Sequence, residues 1–343
     1  MSVRMKAKPI VGYPKVSVVI PHYNYGEYLP VALESVLSQE GVDLEVLIVD
    51  DASTDGSLRI AREQASADHR VILIEHEHNM RHIATYNDGL ARASGEFVVL
   101  LSADDALAPG SLARAAALFQ AEPEVNLVYG PVEEFASVLP SSTSHQVSWT
   151  TWTSDEWIGR VCRRGRNIIV NPEAMIRRRL VDELGGYDPE LPHSADMYLW
   201  MRAAARGKVA RVNGPTQAFY RQHDSNMHAT EFGGRLDDLS AVRKTFEMLF
   251  RVDGSRLQKA TSLSATADKA VAREALRMSV SVSGPSAKAH RSALISFATE
   301  TGAPAWSCAL YEIVPKLGLT AIFKRFESAR WSARYRRHRR YGT

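Results

Sequence analysis

Four short apolar runs rich in β-branched residues, Val16–Ile20, Leu44–Val49, Val71–Ile74 and Phe97–Leu101, alternate with amphipathic stretches, and no other feature narrows the fold as far. The first run leads into a pattern that puts Leu29, Leu33, Val36 and Leu37 on one helical face. The second ends in Asp50 and Asp51, and Ser53, Thr54, Asp55 and Gly56 then supply turn and N-cap chemistry for a helix over residues 57–67. An amphipathic stretch at Ile83–Ala93 separates the third run from the fourth. After Pro109, Leu112, Ala115, Ala116 and Phe119 mark a further helix ahead of a strand at Leu127–Tyr129. Strands alternating with helices need right-handed crossovers, so the pattern predicts an α/β fold with a mostly parallel sheet flanked by helices.

Further along, the Ser- and Thr-rich stretch 136–154 reads as a surface loop, and short apolar runs stand at Ile168–Val170 and Ala218–Tyr220. From residue 231 onward the chain reads as helical without strands, which predicts one domain over 1–230 and a C-terminal helical extension over 231–343. At 343 residues the chain has ample length for that division.

Charge is distributed unevenly. Residues 324–343 hold eight Lys or Arg against the single acid Glu327, so of the net +3 the tail carries +7 and residues 1–323 carry −4. A basic tail on an acidic body predicts a local anionic contact and no nucleic-acid partner. Phe323, Phe326, Trp331, Tyr335 and Tyr341 stand among those cations, a mixture suited to an anionic membrane surface; a solvated C-terminus is the alternative.

No segment has the apolar length of a spanning helix, and no apolar run follows the basic first fifteen residues as a signal peptide requires. The expectation is a cytoplasmic protein, with peripheral attachment at the inner face of the membrane. Cys162 and Cys308 lack any metal-ligand or paired spacing and read as ordinary thiols. His76, His78 and His82 read as surface residues, and Arg163, Arg164, Arg166 and Arg177–Arg179 as solvated faces.

Ligands of open α/β sheets bind at the carboxyl ends of the strands. Here those ends carry Pro21-His22-Tyr23-Asn24, Asp50-Asp51 and Ser102-Ala103-Asp104-Asp105, one aromatic and two carboxylate pairs. The chain has neither G-x-G-x-x-G after its first strand nor G-x-x-x-x-G-K-[ST], which argues against dinucleotide-dependent oxidoreductases and P-loop NTPases. A divalent cation bridging carboxylates to a diphosphate holds such a ligand without a glycine cradle.

Val16–Asn24 (VSVVIPHYN), Val49–Ser57 (VDDASTDGS), Ser94–Asp105 (SGEFVVLLSADD) and Asp196–Arg202 (DMYLWMR) occur in an order and spacing that resembles family 2 glycosyltransferases. The resemblance covers residues 16–228 and implies a GT-A fold, with a nucleotide-binding half over 14–130 and an acceptor half over 131–230. It implies that Pro21 and Tyr23 border the nucleotide base, that Asp51 accepts a hydrogen bond from it, and that Asp104 serves the ribose or a metal-bound water. Asp105 and His223 would hold Mn2+ or Mg2+, Arg221 would meet the diphosphate, and Asp196 would be the catalytic base.

Two departures stand out: Ser102 replaces the first carboxylate of the family's D-x-D region, and Ala195 the usual Glu before the base. The implied activity is inverting transfer from a nucleotide-diphosphate sugar, UDP-linked, to a glycan or lipid-linked acceptor in surface polysaccharide synthesis. Its alternative is a non-catalytic sugar-nucleotide-binding or scaffold protein of the same fold.

Overall fold

The structure, a computed structural model, describes residues 2–141, 146–169, 172–224, 235–282, 286–317 and 325. It divides into two compact units, one of residues 1–156 and 169–226, the other of residues 157–168 and 227–343. The boundary expected near residue 230 lies outside the described residues.

In the first unit β2 (Lys15–His22), β3 (Asp43–Asp50), β4 (Val71–Glu75) and β5 (Phe97–Leu100) are the four runs that open the chain's pattern. The crossovers between them are α1 (Leu29–Leu37), α2 (Ser57–Ala67) and α3 (His82–Arg92). β3 is buried along seven of its eight positions, as a strand covered on both faces must be, and for that reason reads as a continuous apolar run. β2, β3 and β4 lie side by side in parallel, and β5 then returns to the other flank of β2, again parallel. The strand order reverses between β2 and β5, which opens a crevice at their carboxyl ends.

Beyond β5 come β6 (Ala106–Leu107), α4 (Ser111–Ala121), β7 (Val125–Tyr129) and β8 (Val132–Phe135). They are followed by β9 (Ser148–Trp152), α5 (Ser154–Arg164), β10 (Met175–Arg177) and α6 (Arg178–Leu184). The unit ends with α7 (Ala195–Ala204), β11 (Lys208–Asn213) and β12 (Ala218–Arg221), and β1 (Val3–Lys6) precedes all of these. The main sheet has the order β1-β9-β11-β7-β10-β5-β2-β3-β4, and β6-β12-β8 form a small second sheet. Among the described residues the main sheet is parallel over β5-β2-β3-β4 and at β7-β11. It is antiparallel where β10 sits between β5 and β7 and where β11, β9 and β1 follow one another.

β9 corrects the loop expected over 136–154. Its hydroxyls suggested solvent, yet Trp149, Thr151 and Trp152 are buried between neighbouring strands, and threonine is β-branched and suits a pleated surface. Arg177 corrects the solvated face expected there. Its guanidinium lies over the Phe97 and Phe119 rings at 5.4 and 4.9 Å and donates to the carbonyls of Phe119 and Val125.

One glycine matters for the site. A Cβ at Gly89 of α3 would stand 2.4 Å from Val19 Cγ1 and 2.8 Å from Val49 Cγ2, so only glycine lets α3 lie this close to β2 and β3. That close approach fixes where the first turn of α3 meets the ends of those strands.

Among its described residues the second unit holds helices and no strand: residues 157–164 of α5, α8 (Arg235–Asp253), α9 (Ala260–Ser281), α10 (Ala287–Glu300) and α11 (Ala305–Lys316). α9 touches α8, α10 and α11, burying Leu263, Ala267, Val271, Ala275 and Leu276. Both cysteines are buried and free, and burial pushes the Cys162 thiol up to about 12, which leaves it unreactive.

Candidate functional site

The crevice at the switch point is lined first by the loop after β2. Tyr23 is 45% exposed, so it is not a packing aromatic, and its ring offers an open face. The loop is stitched to the one after β3: the Asn24 amide donates to Ser53 Oγ at 3.0 Å, Asn24 Oδ1 accepts from the Thr54 amide at 2.7 Å, and Asp55 accepts from the Gly26 amide at 3.1 Å. Pro21, half-buried, stands one residue before the end of β2.

Asp50 and Asp51 divide their work. Asp50 Oδ1 accepts the Ser53 amide at 3.0 Å and shapes its own turn. Asp51, buried, reaches instead into the segment after β4: Oδ1 accepts from the Met80 amide at 2.7 Å and meets His76 Nδ1 at 2.8 Å, while Oδ2 accepts the Arg81 amide at 3.0 Å. His76 is therefore no surface residue. Its side chain is covered and its Nε2 faces Asp88 Oδ2 at 3.3 Å, so the ring bridges two carboxylates. Asn24, Ala52 and Arg81, all with φ between +56° and +70°, bracket Asp51; backbone conformations that cost side chains energy are concentrated on this edge.

The loop after β5 brings Asp104 and Asp105 to the other side of the crevice, both buried. Asp105 Oδ1 accepts the Arg221 amide at 2.9 Å, and Asp104 Oδ2 meets His223 Nε2 at 3.0 Å. Burial, reinforced by the Asp104 charge, raises the Asp105 carboxyl well above the usual carboxylate range. Arg221, expected to meet the diphosphate, is anchored within the protein beside the acid pair. Its guanidinium is buried, donates to the carbonyls of Asp104 and Ala136 at 2.8 and 3.2 Å, and lies over the Tyr28 and Phe135 rings at 4.9 and 4.4 Å. Its charge thus fixes the Asp104–Asp105 turn. The Tyr28 ring also stands 4.6 Å from that of His223, with Tyr25 edge-on to both, so the loop after β2 and the segment after β12 meet over the acid pair.

Asp196 opens α7, half-buried, with Oδ1 accepting the Met197 amide at 2.6 Å; Ser194 makes no side-chain cap. The turn leading to it is fastened to α3. Asn87 donates to the Tyr187 carbonyl at 2.8 Å and accepts the Tyr187 amide at 2.7 Å, and His82 Nε2 meets the Pro192 carbonyl at 3.3 Å. A Cβ at Gly186 would fall 2.4 Å from Asn87 Oδ1, so this joint too requires glycine. Since Asp51 holds the residues just before α3, a continuous set of contacts runs from Asp51 through the start of α3 to the turn before Asp196.

Among the described residues no group of three or more His, Cys, Asp or Glu side chains is arranged to hold a metal ion. Asp105, with Asp104 and His223 beside it, fits a different arrangement, in which Mg2+ or Mn2+ takes one or two carboxylates and completes its shell with substrate oxygens. A cation at that point would offset the cost of burying the Asp105 charge.

The sequence profile of glycosyl transferase family 2 matches residues 17–185. Over that stretch the chain belongs to glycosyl transferase family 2. An uncharacterized glycosyltransferase of Nostoc sp. is 39% identical over 227 residues, covering 62% of this chain and 66% of that protein. The O-antigen biosynthesis protein RfbC of Myxococcus xanthus is 40% identical over 243 residues, 69% of this chain and 18% of RfbC, so the chain spans less than two thirds of either relative.

Among solved structures, S. aureus TarS 1-349 in complex with UDP-GlcNAc aligns over 92% of each chain with a TM-score of 0.64 and 18% identity. The mannosyltransferase PcManGT of Pyrobaculum calidifontis, in complex with GDP-Man and Mn2+, covers 94% of this chain and 86% of its own with a TM-score of 0.58 and 20% identity. At these identities the likeness is one of fold, and that fold is GT-A.

Sequence reasoning missed four residues of this family 2 site. Tyr25 and Tyr28 were legible as an aromatic cluster, YNYGEY, at a strand's carboxyl end. His76 and Glu173 carried no signal, because each acts through a partner remote in sequence. Glu173, buried just ahead of β10, accepts the Gly130 amide at 3.2 Å through Oε1, while Oε2 has no hydrogen-bond partner among the described residues. Burial pushes its carboxyl up to about 8.

The folded chain therefore keeps a proton on Glu173 between the ordinary Glu range and about pH 8, where the unfolded chain has released it. The associated stability is complete below the unfolded value and is lost as pH rises through about 8. Glu173→Gln, which is neutral throughout, should gain on the parent in urea midpoint as pH rises from the ordinary Glu range to about 8, then hold a constant lead. Parallel midpoints across that range would show that Glu173 ionises freely in the fold.

Proposed function

We propose that this chain is an inverting, metal-dependent glycosyltransferase that moves a sugar from a nucleoside diphosphate donor, UDP-linked, to a glycan or lipid-linked acceptor hydroxyl in surface polysaccharide synthesis. The observation that carries this reading is the convergence at one switch point of an open aromatic, Tyr23, a donor-accepting carboxylate, Asp51, and the acid pair Asp104–Asp105. The Asp196 turn is tethered to the same edge. Residues 14–130 form the donor half in this reading and 131–230 the acceptor half, with the work done in the cytoplasm. The UDP-GlcNAc of TarS and the GDP-Man and Mn2+ of PcManGT support the ligand class.

Each residue has a task. Tyr23 stacks on the base with Pro21 at its border, and Asp51, held as an acceptor by two backbone amides, receives the N3–H of uracil. Asp104 takes the ribose. Asp105, with His223 alongside, would hold the divalent cation, which would supply positive charge against the departing diphosphate. Arg221 positions both acids from behind. Asp196 removes the proton from the acceptor hydroxyl as it attacks the anomeric carbon on the face opposite the diphosphate. A single displacement inverts that carbon, so an α-linked donor yields a β-linked product.

Calorimetric titration with UDP- and GDP-linked sugars, each with and without Mn2+, tests the reading. The expected result is binding of a UDP-sugar that tightens with Mn2+. Binding without any turnover of the donor would mark a sugar-nucleotide-binding scaffold, and no binding of either class would refute the assignment.

A further inference from the structure

α11 has two apolar faces. Cys308, Tyr311 and Val314 are buried, whereas Trp306, Leu310, Ile313 and Leu317 are 73%, 46%, 46% and 63% exposed. The Leu317 amide still donates to the Ile313 carbonyl at 3.1 Å, so the helical path carries through Leu317. At about 100° per residue these four exposed side chains fall within an arc of roughly 60°, a single stripe along the helix. Isolated apolar residues on a surface are ordinary; an aligned aromatic and three aliphatics on one unpartnered face are not.

The neighbouring stretch of sequence indicates what covers the stripe. Seven residues past Leu317 the chain enters 324–343, of net charge +7 with Phe326, Trp331, Tyr335 and Tyr341 interspersed. Of that segment Arg325 is described and exposed, and the rest lies outside the described residues. Among the described residues no helix is long and apolar enough to cross a membrane.

We infer that α11 is an interfacial anchor, which sets Trp306, Leu310, Ile313 and Leu317 into the headgroup and upper acyl region of an anionic phospholipid bilayer while the basic tail binds the lipid charge. Neither part suffices alone at physiological salt. A short stripe of four side chains partitions weakly, and a polybasic segment without apolar insertion is screened within a Debye length. Together they supply the two signals that stable peripheral binding needs. The chemistry selects anionic lipid over zwitterionic lipid, because the tail finds no net charge on the latter.

Vesicle flotation of the intact chain tests this, comparing phosphatidylcholine vesicles with vesicles containing about a third phosphatidylglycerol. The expected result is binding to the anionic vesicles alone. The triple variant Trp306→Ser, Leu310→Ser, Ile313→Ser changes only exposed side chains; it should keep its circular dichroism and donor binding yet lose at least about tenfold in flotation. A second variant, Arg336→Gln, Arg337→Gln, Arg339→Gln, Arg340→Gln, should lose comparably and lose its salt dependence as well.

Flotation of the triple variant equal to the parent, or a parent that ignores anionic vesicles, would overturn the anchor. So would a dimeric parent that the triple variant makes monomeric with flotation unchanged, since a second copy would then cover the stripe. Vesicle binding requires no sugar transfer, so its failure leaves the transferase reading untouched.

Discussion

Asp196→Asn should lower turnover of the sugar nucleotide by roughly 10²–10⁴ while leaving its dissociation constant within a factor of about two. The asparagine is isosteric and keeps the Oδ1 acceptor that receives the Met197 amide, so the start of α7 stays in place. What is lost is basicity. A hydroxyl nucleophile must shed its proton as it attacks, and an amide oxygen cannot take it. The residues proposed to bind the base lie on other loops, after β2 and β3, so binding and chemistry should separate cleanly in this variant. Calorimetry gives the first quantity, and release of nucleoside diphosphate, by transfer or by hydrolysis, gives the second. Near-normal turnover would remove Asp196 from the reaction and leave it as a helix-end acceptor.

Asp105→Asn should erase the response of donor binding to Mn2+ and lower turnover by about 10² or more. The size reflects the several kcal/mol of charge stabilisation that a cation provides at a departing phosphate, with each 1.36 kcal/mol equal to a factor of ten. Asparagine again preserves the fold, since its Oδ1 can accept the Arg221 amide as Asp105 does. With Ser102 where the family's first carboxylate stands, Asp105 has fewer charged neighbours to compensate for its loss. The measurement is donor affinity over a Mn2+ titration in parent and variant. An unchanged Mn2+ response would place the cation elsewhere, whereas loss in Asp104→Asn but not in Asp105→Asn would exchange the two acids' roles.

The first strands of the sheet were legible in the sequence because their signals are local. β2, β3 and β5 are runs whose burial on both faces leaves no alternation to misread, with Asp50-Asp51 at the end of β3 and Asp104-Asp105 in the loop after β5. Period and turn chemistry likewise place α2 at Ser57–Ala67 without reference to the rest of the chain. Non-local structure was not legible in this way. β9 is a strand because β11 and β1 flank it, and nothing inside Ser148–Trp152 announces those partners.

The site divides along the same line. Tyr23 and the acids are visible as residue types in suitable positions. The charge on Arg221 was visible too, but its place over Tyr28 and Phe135 depends on three segments meeting. His76 looked like one of three surface histidines, and only its contacts with Asp51 and Asp88 set it apart from His78.

The strand order also bears on how the chain is made. Val3 of β1 pairs with Thr151 of β9, so β1 leaves the ribosome ahead of a partner that follows nearly 150 residues behind it. At about 5–20 residues per second that delay is roughly 7–30 s. β10 and β11 arrive later still, yet both lie inside the sheet, so the β5-β2-β3-β4 block forms first and exposes the β5 edge until residues 175–177 are synthesised. An open strand edge invites pairing with other chains. Aggregation during synthesis, more than unfolding afterwards, is therefore the hazard this topology brings, and slower translation across residues 100–175 would lengthen it.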